Sequence, residues 1–538
     1  MQIIENSRST TGTNTRVKDV NPTSGMCPLC IEECNVLCEV GKSAFRGREV
    51  LYPSPEYFGT STASSNKDFF LDWSHFQIMA ELIGAYGIEQ SPDKAFFENV
   101  DISTKVATRS KKPITLKIPL VIAGLGSTAV AKRNWESLAK GAAMAGIIET
   151  VGENVCGMDP DAVYSKGKVQ RSPDMEFRIS SYRELWDGKH GDIAVQTNVE
   201  DGRGGVDEYV MSKLEVNIIE RKWGQGAKAI GGEVRLTTLE RALELKKRGY
   251  LVLPDPEDKD VQAAFKAGAF KTFERHSRVG FPDLNSFVED VDRLRSAGAK
   301  YVFLKTGAYK PEIVAFTMKA ASMAKVDMLT FDGAGGGTGM SPVQMMNEMS
   351  TPTVHLEAQV LECAKILQKK GKFIPDMIMA GGFVNETQMY KSMAMSNIGG
   401  GPLIKGIAMA RSPILAAMKS QYFARQAAEG KLAKSFADEY GADPNKFFIL
   451  APEIKQMFPK KVLGKDIPWG AVGLYTYFDR IGIGLKQMMA GSRKFKLEYL
   501  DRSDIMSLTP YAEKVTGIPT LENYSNRVMP GILEYWDE

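Results

Sequence analysis

Between residues 114 and 428, short apolar runs alternate with longer stretches in which apolar positions recur every three or four residues. The runs are Pro119–Ala123, Ile147–Thr150, Asp192–Gln196, Val216–Glu220, Tyr301–Lys305, Met328–Phe331, Met377–Ala380 and Asn397–Gly399. Short apolar runs bounded by breakers predict buried strands. Lys132–Ala145, Thr238–Lys247, Leu284–Ala297 and His355–Lys370 read as helices between them. Eight strands alternating with helices predict an α/β fold, a (β/α)₈ TIM barrel over 114–428. A doubly wound sheet is the architectural rival, because periodicity does not encode strand order. The glycines of Gly333–Gly339 are spaced somewhat like a dinucleotide fingerprint, but no clear βαβ unit with a ribose-binding acid follows, so the barrel is favoured.

Outside the barrel the pattern weakens. Residues 1–60 form an N-terminal arm, Ser-, Thr- and Asn-rich up to residue 25 and then cysteine-rich. Residues 61–113 read as a helical connector, with Phe69, Phe70, Trp73, Phe76, Met79, Leu82 and Ile83 as the face packed on the barrel. Residues 429–538 read as a separate helical C-terminal extension, its main helix Val472–Met489 ending at Gly491. The connection from the fourth to the fifth strand, about 221–299, carries a further apolar run, Tyr250–Leu253. An excursion of that length belongs at the catalytic face or in a lid.

Composition narrows the function. Sixty-eight basic residues balance 65 acidic ones, a net charge of +3, so no nucleic-acid partner is indicated. No stretch of about 18 apolar residues occurs, which argues against a membrane span. The first 25 residues have no apolar signal core, and the expected location is cytoplasmic. Four of the six cysteines, Cys27, Cys30, Cys34 and Cys38, lie within twelve residues. Such density without an export signal favours metal over disulfides. Zinc sites usually split their ligands into two separated pairs, so this compact arc suits a cubane iron–sulfur cluster, the four-iron form first, with zinc or free thiols as alternatives.

The candidate chemistry sits at strand ends. Asp332–Pro342 follows the sixth strand and places five glycines within Gly333–Gly339, where backbone N–H groups can approach a ligand. Gly381-Gly382 and Gly399-Gly400-Gly401 follow the predicted seventh and eighth strands, the usual phosphate site of this barrel. Lys305 ends the fifth strand and can hold negative charge on a reduced flavin. Gln225-Gly-Ala-Lys228 supplies an amide and an ammonium suited to a small polar acid. Cys156 reads as an inert buried thiol, and His276 as an outside candidate for proton transfer.

These residues resemble the FMN-binding domain of the glutamate synthase large subunit over about 110–510. Gln196 through Gly205-Val206, then Asp207-Glu-Tyr-Val210 and Gln225-Gly-Ala-Lys228, are similar to the family's glutamine, Gly-Arg-Phe-Gly-Val and Gln-Gly-Ala-Lys series. Asp332–Pro342 resembles its glycine loop, and Gly406–Arg411 and Leu500–Asp504 resemble further landmarks. The resemblance implies a barrel with FMN at its mouth, fed by iron–sulfur clusters and reducing 2-iminoglutarate to glutamate. Gly124, Gly126, Ser127, Gln196, Lys305, Gly335, Gly336, Gly337, Thr338, Gly381, Gly382, Gly400 and Gly401 would hold FMN. Gln225, Lys228 and Glu153 would meet an imino or 2-oxo acid.

The chain also departs from the family. Its glutaminase domain is missing, so ammonia would come from a separate subunit. No cysteine follows Cys363, where the family has a trio; Cys27–Cys38 would replace it, as in shorter archaeal-type relatives. Ferredoxin, or a partner subunit that oxidises NAD(P)H, would supply electrons. The loop Gln225–Glu233 lacks the family's Pro-Gly-Glu-Gly-Gly-Gln, which leaves as alternatives a flavin subunit of a larger redox complex acting on a different substrate, or a non-catalytic FMN-binding electron relay.

Overall fold

The computed structural model describes residues 44, 69–224, 234–280, 282–334, 345 and 348–534. Eight parallel strands close a barrel: β1 Leu120–Leu125, β2 Ile148–Val151, β3 Ile193–Thr197, β4 Ile218–Trp223, β5 Tyr301–Gly307, β6 Met328–Asp332, β7 Asp376–Ala380 and β8 Ile404–Met409. Each pairs with its neighbour in sequence, and β8 pairs back onto β1. The expected TIM barrel is therefore the fold. Flanking helices include α1 Ala129–Ala145, α2 Pro173–Arg183, α3 Val206–Leu214, α4 Leu284–Ser296, α5 Pro311–Ala324, α6 Thr353–Lys369, α7 Glu386–Met395 and α8 Arg411–Ala428.

Local chemistry sets these boundaries. Thr128 caps α1 by accepting from the Ala131 N–H, and Gly146 ends it in the left-handed conformation at φ 64°. Ser172 caps α2, whose first turn carries Pro173 and Asp174. Strand alternation then divides the core. Ile218 joins an inner cluster with Val121, Ala194, Phe303 and Ile378, whereas Ile219 packs outward against the helices. The hairpin Thr104–Val106/Ile114–Leu116 adds Val106, Ile114 and Leu116 to the inner cluster and plugs the N-terminal end.

Three expectations are corrected. The eighth strand is Ile404–Met409 and not Asn397–Gly399, so Gly400 and Gly401 precede it on the N-terminal face, away from the mouth. Among the described residues of 69–113 no α-helix forms. Trp73–His75 is a 3₁₀ turn, and Phe76–Ile78 pairs antiparallel with Ile505–Ser507. Trp73 and Phe76 are buried as expected, but Leu82 and Ile83 are exposed. Nor is the C-terminal extension separate: α9, Trp469–Gly491, lies against α1 and α8. A Cβ on Gly473 would come 1.8 Å from Ser420 Oγ, and one on Gly141 2.7 Å from the Leu474 side chain. Glycines at these crossings let the three helices pack closely, which leaves most of α1 buried.

The long β4–β5 connection folds as its own antiparallel sheet, in the order Val234–Leu236, Phe273–His276, Leu251–Leu253, with helices Leu239–Lys247 and Lys259–Lys266. Its small core holds Leu236, Leu245, Tyr250, Val252 and Phe273. Tyr250, Arg248 and Arg278 tie it to the segments after β2 and β3, through Asn154, Gly157 and Glu200.

Candidate active site

The C-terminal ends of β3 to β6 carry five charged or amide side chains on the inner face of the barrel. On β4, Ile218, Glu220 and Lys222 share the inner face by two-residue alternation. The Gln196 amide on β3 donates to Glu220 Oε1 at 2.6 Å, and both residues are buried. Lys305 on β5 lies 3.3 Å from Asp332 Oδ2 at the end of β6, with side chains 5% and 10% exposed. Burial lifts the Glu220 carboxyl above the ordinary range, opposed by the Lys305 charge and the Gln196 hydrogen bond.

A second group forms at the ends of β2 and β3. Glu153 Oε1 lies 3.5 Å from Lys222 Nζ, and Glu153 Oε2 accepts from the Asn198 amide at 3.0 Å. The neighbouring β1 end is tight. A Cβ on Gly126 would lie 2.6 Å from the Glu153 carbonyl, and one on Gly124 2.9 Å from the Gln196 amide. Arg178 on α2 braces that end by donating to the carbonyls of Leu125 and Gly126. Ser127 follows, half-buried.

Past β7, Gly381 and Gly382 adopt φ 111° and 83°, conformations that favour glycine. The Gly381 carbonyl accepts from Thr353 Oγ1 at 2.9 Å, at the start of α6. A Cβ on Gly381 would sit 2.7 Å from the Gly333 nitrogen, so the ends of β6 and β7 meet backbone to backbone.

Of the expected site residues, the structure brings together Gln196, Lys305 and Glu153, with Gly124, Gly126, Ser127, Gly381 and Gly382 at neighbouring strand ends of the same face. Gly400 and Gly401 lie on the other face. Gln225, Lys228, Gly335, Gly336, Gly337, Thr338 and the four cysteines Cys27, Cys30, Cys34 and Cys38 lie outside the described residues. Among the described residues no group of three or more His, Cys, Asp or Glu side chains could hold a metal ion. His276 stands in the excursion's sheet beside Glu274. Burial pushes the Cys156 thiol far above its usual range, which agrees with the inert reading.

The conserved region in glutamate synthase matches residues 81–240 and 274–406, more than half of the chain. The chain belongs to the glutamate synthase family. The unmatched stretch between these blocks is the body of the β4–β5 excursion, so the glutamate synthase match covers all eight strands save the last three residues of β8. No curated protein matches the chain. Among solved structures, a mutant of an active (S)-mandelate dehydrogenase chimera aligns at 13% identity over 81% of this chain and 88% of its own, with TM-score 0.43. A flavocytochrome b2 mutant aligns at 12% identity over 85% and 82%, with TM-score 0.44. A mandelate oxidase mutant with a monooxide FMN adduct aligns at 9% identity over 79% and 86%, with TM-score 0.40.

FMN, the cofactor expected from the glutamate synthase resemblance, fits the residues present. Gln196 Oε1 is buried and has no hydrogen-bond partner among the described residues, so the mouth offers an unused acceptor. Lys305 adds a cation, and Gly381-Gly382 adds side-chain-free backbone after β7, where this barrel type binds phosphate.

Sequence reasoning did not single out Glu220, Lys222, Asn198 or Asp201. The signal for the first two was present: charged residues two apart, in phase with Ile218, at the end of a strand whose first three residues are buried. Among the described residues no helix is long and apolar enough to cross a membrane.

Proposed function

We propose that the chain is an FMN-dependent oxidoreductase of glutamate synthase type, reducing an imino acid formed from a 2-oxo acid and ammonia. The observation carrying this reading is the inward set Gln196, Glu220, Lys222, Lys305 and Asp332, on a barrel matched by the glutamate synthase region. FMN bound at the mouth would supply hydride transfer. Gln196, Lys305, Gly381 and Gly382 would hold it, Lys305 kept in place by Asp332. Lys222 and Glu153 would face the substrate, the ammonium attracting a carboxylate and the Glu153 carboxyl orienting the nitrogen. Gln225 and Lys228 would join them, on the strength of the family resemblance alone.

Electrons would enter through an iron–sulfur cluster on Cys27, Cys30, Cys34 and Cys38, a reading that rests on their spacing. The donor would be ferredoxin or a partner subunit, in the cytoplasm. The test is glutamate formation by anaerobically purified protein given reduced ferredoxin, 2-oxoglutarate and ammonium. Cys27→Ser should lower the iron content and abolish ferredoxin-driven turnover while flavin stays bound. A second reading, a flavin subunit acting on another acid, is favoured by the missing Pro-Gly-Glu-Gly-Gly-Gln motif. It predicts bound flavin with no glutamate formed.

A further inference from the structure

Asp201 lies fully buried behind the mouth, in the helical turn Val199–Gly204 that follows β3. Its carboxylate reaches across to the segment after β2 and accepts the backbone N–H of Asn154, at 3.0 Å to Oδ2 and 3.2 Å to Oδ1. It also accepts the N–H of Asn198 at 3.3 Å. Both donors adjoin Glu153. Asn154 is the next residue in the chain and holds φ 64°, a left-handed conformation that asparagine adopts more readily than other non-glycine residues. Asn198 is the residue whose side-chain amide donates to Glu153 Oε2.

The other end of Asn154 is held as well, because Tyr250 from the excursion donates to its Oδ1 at 3.1 Å. The turn that presents Glu153 is thus gripped through its backbone by Asp201 and through its side chain by Tyr250. A carboxylate accepts N–H donors at both oxygens, whereas an amide in its place keeps one acceptor and turns NH₂ toward these donors at the other position.

We propose that Asp201 is a positioning residue: it locks the Asn154 turn and the Asn198 amide so that Glu153 is presented beside Lys222 at the substrate end of the mouth. The proposal rests on the reading of Glu153 as a substrate contact. Burial, with the Glu153 charge adding to it against the Asn154 hydrogen bond, lifts the Asp201 carboxyl to about 7, so the two acids are coupled electrostatically as well as through backbone.

The test is a double-mutant cycle on the flavin-loaded protein, using 2-oxoglutarate and ammonium with a reduced viologen dye as electron donor. It is accompanied by hydrogen exchange at the amides of Asn154 and Asn198. Asp201→Asn should raise exchange at both amides and lower kcat/KM by about tenfold or more, mainly through KM. In a Glu153→Gln background the same substitution should cost less than about twofold, because the group it positions is already gone. Tyr250→Phe, which removes one hydroxyl, should show the same dependence on Glu153 and serves if Asp201→Asn fails to fold. Equal losses in both backgrounds, or unchanged exchange at the two amides, would overturn the proposal. If the wild-type holoprotein turns over no 2-oxo acid, the substrate reading fails, and the exchange data alone decide whether Asp201 locks the turn.

Discussion

Replacing Lys305 by methionine keeps the length of the side chain and removes its charge from the middle of the mouth. The ammonium lies 3.3 Å from Asp332 Oδ2 and is also the strongest influence holding the Glu220 carboxyl down against burial. At that distance and an effective dielectric of about 20, the gross attraction to Asp332 is about 5 kcal/mol. Removing one member of a buried pair typically costs about 3–5 kcal/mol, much of it the stranded charge. The penalty should depend on pH, with a definite sign. Glu220 already titrates above the ordinary carboxylate range, and the loss of Lys305 raises it further. A raised folded-state value contributes stability that is present at low pH and lost as pH rises through it. The deficit of Lys305→Met relative to wild type should therefore be larger near about pH 8, where it reaches about 3–5 kcal/mol, than near about pH 5, where the stranding of Asp332 is the main contribution. Denaturant unfolding followed by circular dichroism at both pH values measures it. A deficit under about 1 kcal/mol at the higher pH, or one that is the same at both, would refute this account of the mouth.

Three further predictions concern the neighbouring residues. Glu153→Gln should raise the KM for the 2-oxo acid by about tenfold while leaving the released flavin per chain unchanged, read by steady-state kinetics and flavin extraction. Gly381→Val places a Cβ 2.7 Å from the Gly333 nitrogen at φ 111°; the strain should cost about 1–3 kcal/mol and yield protein that purifies with little flavin. Asp201, with a folded-state value of about 7 against 3.8 for a free side chain, should make wild-type stability decline between about pH 4 and pH 7. In Asp201→Asn that part of the pH–stability curve should flatten.

Seven barrel strands were legible because their apolar runs end in breakers, and the eighth was missed for a physical reason. Ile404–Met409 contains Lys405 and Gly406, which interrupt the run. Gly406 is there because a Cβ would come 2.8 Å from the Pro119 carbonyl where β8 closes onto β1. A glycine required by close backbone approach looks, in sequence, like punctuation. The connector failed differently: Trp73, Phe76 and Met79 are spaced as on a helix, yet Phe76 pairs with Ser507, more than 400 residues away. Long-range pairing overrode local periodicity. At the mouth, Lys305 was readable as a strand-end residue, and Gln196 through the family resemblance. The reach of Asp201 to Asn154 joins two loops that only barrel closure brings together, and no spacing announces it.

FMN held at the mouth should pass its electrons to an imino acid. Anaerobic reduction of the purified holoprotein with dithionite, followed by stopped-flow addition of 2-oxoglutarate and ammonium, tests it most directly. The account predicts about one FMN released per chain, and flavin reoxidation only when both compounds are present. Protein without flavin, or reduced flavin that stays reduced with both compounds, would contradict it.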